Sequence, residues 1–154
     1  MTLLSQVKGQ RVMTVEDARQ VGSVRRLVFD SASRLVVGAH LDGVQGDATL
    51  LPWSSVNALG PDALMIQSAG VLRQPDEDVR QLIDGGAFDI EGRAVYSDAG
   101  DALGPLEDVE FDERSGTITA LHVPGHVLPV ARLVIGPQAI IVPAEAGAEP
   151  APSF

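Results

Sequence analysis

The sequence predicts an all-β chain made of two small β-barrels in tandem, joined by a linker with a short helix. Three observations carry that expectation: an internal repeat, a near absence of helical periodicity, and short apolar runs cut by Gly, Pro, Asp and Ser. The repeat weighs most. Gly9 and Val12, Val21-Gly22, Leu27-x-Phe29-Asp30, His40, Pro52-x-x-x-Val56 and Leu59-Gly60-Pro61-x-Ala63 make up the first copy. They are answered by Gly92 and Val95, Leu103-Gly104, Val109-x-Phe111-Asp112, His122, Pro129-x-x-x-Leu133 and Ile135-Gly136-Pro137-x-Ala139. Equivalent residues are offset by 83 at Gly9, by 82 from Gly22 to His40, by 77 at Pro52 and by 76 at Gly60, so length changes fall in three places, as loops allow. Two copies suit a pair of domains rather than a solenoid, which closes its core only with three or more units.

The first copy is expected to hold strands near 10–14, 23–30, 34–42, 47–52 and 63–67, with a turn of helix from Ser54 to Leu59. The second is expected to hold strands near 93–97, 105–112, 117–123, 126–130 and 139–143. Asp30-Ser31-Ala32-Ser33 and Asp112-Glu113-Arg114-Ser115-Gly116 read as hairpin turns. Gly22 and Gly104 stand where a missing Cβ permits a positive φ or a close backbone approach. Five or six short strands per copy are too few for a two-sheet sandwich, and a small closed barrel removes their open edges. Between the copies, Pro75 and its acids start a helix, Val79, Leu82 and Ile83 form its apolar face, and Gly85-Gly86 ends it. The domain reading is 1–71, a linker at 72–87, a second domain at 88–144, and a disordered tail at 145–154 rich in Ala, Glu and Pro.

Composition narrows the function classes. Aromatics are only 4% of the chain, so Val, Leu, Ile and Ala must build the cores, with Phe29 and Phe111 as isolated large fillers. No apolar run approaches the roughly 20 residues of a membrane helix, and the first residues lack a signal-peptide pattern, so no membrane insertion and a cytoplasmic location are expected. With no cysteine there is neither a disulfide nor a thiolate site. The net charge is −10, and it is unevenly placed: residues 1–71 hold six Lys/Arg and six Asp/Glu, residues 72–154 five and fifteen. Such acidity disfavours binding to a phosphate backbone.

The order Gly-x-x-Val, apolar-Gly, Leu/Val-x-Phe-Asp, hairpin, strand to His, and Leu/Ile-Gly-Pro-x-Ala resembles the PRC-barrel family, twice over and across nearly the whole chain. The resemblance implies a compact barrel of about 60 to 80 residues, a size at which an isolated core is marginal, so packing of the two barrels would help. Family members include the cytoplasmic part of the photosynthetic reaction centre H subunit and a domain of a ribosome-maturation factor, and both of these bind proteins. Neither the membrane helix of the former nor the RNA-associated domain of the latter is expected from this sequence. The implied function is a non-enzymatic interaction or assembly adaptor with a protein partner and with self-association. A metal or small-ligand sensor at the barrel rims is the alternative, and RNA processing or ribosome maturation a further one.

A few side chains are candidates for chemistry. His40 and His122 occupy equivalent strand ends and are the metal candidates, against the plainer reading that each fills a barrel rim. Asp98-Ala99-Gly100-Asp101 lacks the oxygen-rich loop that calcium needs. Ser54, Ser55 and Ser68 stand in no nucleophile motif, and no cofactor-binding or catalytic residue is expected. Trp53, which aligns with Val130, is either a lid on the barrel or an interface anchor. Arg25-Arg26 align with Glu107-Asp108, so a basic face on one copy corresponds to an acidic face on the other; one expectation is that these faces meet, within the chain or between chains, and the other that both are merely solvated.

Overall fold

The computed structural model describes residues 2–84 and 89–144, apart from the side chain of Ile83, and is built mostly of strands. The chain begins with β1 (Thr2–Leu3) and α1 (Leu4–Val7), then β2 (Arg11–Thr14), β3 (Gln20–Asp30), β4 (Leu35–Asp42) and β5 (Leu50–Pro52). A 3-10 turn at Trp53–Ser55 leads into β6 (Val56–Leu59) and β7 (Ala63–Ile66), so the expected helical turn occupies only its first residues and the rest is strand. Val56 and Ala58 pair with Ile66 and Met65, a ladder that a helix there would have forfeited.

The six strands of copy one form one sheet in the order β5-β4-β3-β2-β7-β6. The long β3 pairs with β2 through its first half and with β4 through its second, which bends one strand around the core. β2 and β7 run parallel, with Val12 opposite Leu64. The Gly60-Pro61-x-Ala63 turn closes with Gly60 N–H donating to the Ala63 carbonyl, and Gly136 does the same to Ala139.

Copy two repeats this with one break. Its strands are β8 (Ala94–Ser97), β9 (Ala102–Pro105), β10 (Asp108–Phe111), β11 (Ile118–Val123), β12 (His126–Pro129), β13 (Val134–Ile135) and β14 (Ala139–Val142). β9 and β10 together are the counterpart of β3, and Pro105, which stands where copy one has Ser23, splits them because it brings no N–H to a ladder. The expected strand from 105 therefore starts at Asp108. The result is two four-stranded sheets, β13-β14-β8-β9 and β1-β10-β11-β12.

Equivalent glycines serve the same geometry. Gly9 and Gly92 have φ of 88° and 84°, a left-handed turn that any Cβ would strain, and each donates its N–H to the counterpart carbonyl, Val24 and Leu106. Between the copies, α2 (Glu77–Asp84) follows Pro75 as expected, with Asp76 accepting the Val79 N–H, while Gly85-Gly86 and the tail at 145–154 lie outside the described residues. One hydrophobic cluster holds both copies: Leu27, Phe29 and Leu64 belong to it together with Val109, Phe111 and Ile140.

Candidate functional site

The two copies meet about a pseudo-twofold axis, and equivalent residues meet on it. Leu35 and Thr117, offset by 82, form an antiparallel bridge. Around it Val36 N–H donates to Gly116 and Ile118 N–H to Arg34, each hydrogen bond being the image of the other. At a second point Lys8 meets its own counterpart Glu91, with Nζ 3.0 Å from the carboxylate. Two identical chains would place like charges here, and the tandem has made them opposite.

Trp53 anchors this internal interface. It is 4% exposed, so of the two readings the buried one holds, and the indole is not open to an outside partner as the interface-anchor reading required. Its Nε1–H donates to the Glu113 carbonyl at 2.9 Å, and its ring stands edge-on to Phe111 with centroids 5.4 Å apart. It packs against Gly116, where a Cβ would lie 3.3 Å from the indole and 2.6 Å from the Val36 oxygen. The image of this pair inverts the sizes: Val130 replaces Trp53, and Arg34 replaces Gly116 and donates to the Val130 carbonyl at 2.7 Å. Large against small on one side becomes small against large on the other, which keeps the interface filled.

The segment before copy one crosses to copy two. Thr2 and Leu3 pair with Phe111 and Glu110, Leu4 and Val7 are buried, and Ser5 donates to Asp108 through both its N–H and its hydroxyl. Asp89, which precedes copy two, lies 3.7 Å from Arg26 on β3. Arg26 and Asp108, expected to face each other, thus each face the other copy's lead-in segment. Arg25 is exposed near Asp42 of its own copy, and Glu107 is exposed with its N–H bonded to the His122 carbonyl. Val28, which a two-residue strand period puts on the same outer face as Arg26, is instead fully buried.

The histidines occupy equivalent rungs, His40 opposite Arg26 and His122 opposite Asp108. Their surroundings differ. Burial, with Arg26 and Arg25 adding to it, lowers the His40 pKa below its ordinary 6.5, against smaller opposing effects of Asp42 and Asp89. His122 Nε2 lies 3.5 Å from Glu110. Among the described residues no three His, Asp or Glu side chains converge as metal ligands. Asp98 instead accepts the Ala144 N–H, and Asp101 lies 3.4 Å from the Ser97 hydroxyl.

The loop after β4 is five residues longer in copy one than its counterpart, the change from offset 82 to 77. It walls a cleft of about 480 Å³ lined by Arg19, Val21, Gly43, Val44, Gln45 and Leu72. A second feature had no single-residue signal. The pairings Val134–Ile141, Ile141–Tyr96 and Tyr96–Ala102 align an outward apolar row across four strands, with Val134 60% and Tyr96 39% exposed. Its counterpart in copy one is Ala58, Met65, Met13 and Gln20.

The PRC-barrel domain model matches the chain over residues 1–72 and 86–148. No curated protein matches it. None of the described helices is long and apolar enough to cross a membrane. The repeat, the two equivalent strand orders and the family match agree, and the chain belongs to the PRC-barrel family as a tandem of two PRC-barrel domains.

Proposed function

We propose that the chain is a non-enzymatic protein-interaction module, an assembly adaptor in which two PRC barrels are fastened into one body and a partner docks on copy two. The observation that carries this reading is the row Val134, Ile141, Tyr96 and Ala102. Four aligned apolar side chains on an outer sheet face, one of them aromatic, are the composition of an interface core, where an aromatic ring adds contact area at small entropic cost. Acidic residues, among them Asp98 and Asp101 at the adjoining turn, supply a charged rim that would select and orient the partner. The fused, buried contact between the copies supports the same reading, because it presents the row on a rigid scaffold.

The experiment is affinity capture from the native host with the unaltered chain and with a Val134→Asp, Tyr96→Ser double variant. Both residues are exposed, so circular dichroism should be unchanged. The captured partner should fall by at least about tenfold, equivalent to 1.4 kcal/mol. Undiminished capture by the folded variant would remove the row as the docking surface. Sedimentation of both proteins shows whether a second copy occupies it.

A further inference from the structure

We propose that β12 is an open docking edge that accepts an extended, apolar and basic peptide segment of a partner protein as an added antiparallel strand. This deepens the adaptor reading and rests on it, but it concerns a different surface from the Val134 row. The template is inside the molecule. In copy one the outer edge of β5 is already occupied: Leu50 N–H donates to the Arg73 carbonyl at 2.9 Å, and Arg73 N–H returns to Leu50 at 2.8 Å. Leu72 beside it joins the core, and Leu50 is 6% exposed. Across the sheet this rung reads Arg26, His40, Leu50, Arg73.

Among the described residues, the same rung in copy two reads Asp108, His122, Val127 and goes no further, with β12 at the edge of its sheet. Val127 stands at the position of Leu50 and is 47% exposed. The His122 carbonyl is taken by the Glu107 N–H on the β10 side. In an antiparallel ladder that makes His122–Val127 the non-hydrogen-bonded kind of pair, so the N–H and C=O of Val127 point out from the edge, as those of Leu50 do. Pro129 at the strand end does not block pairing, since Pro52 holds the same place on the edge that is paired.

The occupant is read from the template and from charge. The positions of Leu72-Arg73 correspond, at offset 76, to Ala148-Glu149, followed by Pro150, so the chain's own sequence offers there a side chain much smaller than leucine and an acidic residue in place of the basic one. The rung that would receive it carries Asp108 on the same face as Val127, with Glu107 and Glu110 adjacent. A partner strand with an apolar residue followed by Lys or Arg satisfies both, main-chain hydrogen bonds giving affinity and the charge giving register.

The probe is a synthetic peptide of residues 69–76, Ala-Gly-Val-Leu-Arg-Gln-Pro-Asp, titrated into the full chain and followed by amide NMR shifts and hydrogen exchange. The expected result is shift and slowed exchange at Val127 and its β12 neighbours, with the Leu50 amide unmoved. N-methylation of the peptide at its arginine should weaken binding by about tenfold, because it removes the reciprocal hydrogen bond without altering the protein. Val127→Pro should do the same. No change at β12 at saturating peptide, or equal binding of the methylated peptide, would overturn the proposal whether or not the variant folds. So would a Val127 amide already protected in the dilute free chain, which would assign the edge to the chain's own tail, or protection that rises with protein concentration, which would assign it to a second copy.

Discussion

At the scale of single residues the two copies differ most where their surroundings differ. His40 and His122 occupy equivalent rungs, yet His40 stands opposite Arg26 while His122 sits beside Glu110. Burial and the two arginines hold the His40 pKa below 6.5, so the folded state binds its proton less readily than the unfolded chain. Stability from this residue is therefore complete above the unfolded value and declines as the pH falls from about 6.5 toward the folded one. Urea midpoints measured between about pH 7.5 and 5 should drop on acidification, and His40→Gln should flatten that part of the profile. A slope unchanged by the substitution would place the titration elsewhere. Both histidines were visible in the sequence as equivalents. Their unequal chemistry was not, because it comes from cross-strand neighbours that only strand register defines.

Among the elements, the lead-in segments matter most. β1 and α1 had no expected structure, since Thr2 to Val7 are too few residues to show a period, and they gain their conformation only by pairing with β10 of the other copy. By adding a strand of copy one to the sheet of copy two, this segment fastens the two small barrels to each other. Lys8 and Glu91, both part-exposed, mark where the segments pass each other. Lys8→Glu would set it against Glu91 and Asp89, and should destabilise by about 1 kcal/mol at low salt, with less effect at high salt. The double variant with Glu91→Lys should recover part of this in denaturant titration, and no recovery would show that the pair contributes nothing. The hairpins at Asp30 and Asp112 were legible because Asp caps its own turn: Asp30 accepts Ala32 N–H and Asp112 accepts Arg114 N–H. β6 was missed because Trp-Ser-Ser mimics a helix start, and the strand pairing of Val56 to Leu59 outweighs that local preference.

For the whole molecule, one core spans both repeats. Neither barrel has the size to bury an ample core alone, and Trp53 of one lies against Phe111 of the other. Unfolding should accordingly be a single transition, with the fluorescence of Trp53, the only tryptophan, and far-UV circular dichroism giving the same midpoint. Two separated transitions would mean that the copies fold as independent units. The charge imbalance also acts at this scale: it leaves copy two, which carries the open edge at Val127 and the exposed row at Val134, as the acidic end of the chain.

The sequence by itself determined the repeat, the strand-rich class, the hairpins and the family, because these rest on local periodicity and on turn residues that act within a few positions. It also singled out Trp53 against Val130, and Arg25-Arg26 against Glu107-Asp108, as places where the copies part. Only the tertiary structure decided what those differences do. It turned Trp53 inward against Gly116, gave Val130 to Arg34, and sent Arg26 and Asp108 to the lead-in segments rather than to each other. The physical reason is that a pseudo-twofold contact joins residues far apart in the chain, and no local pattern records which of them will meet.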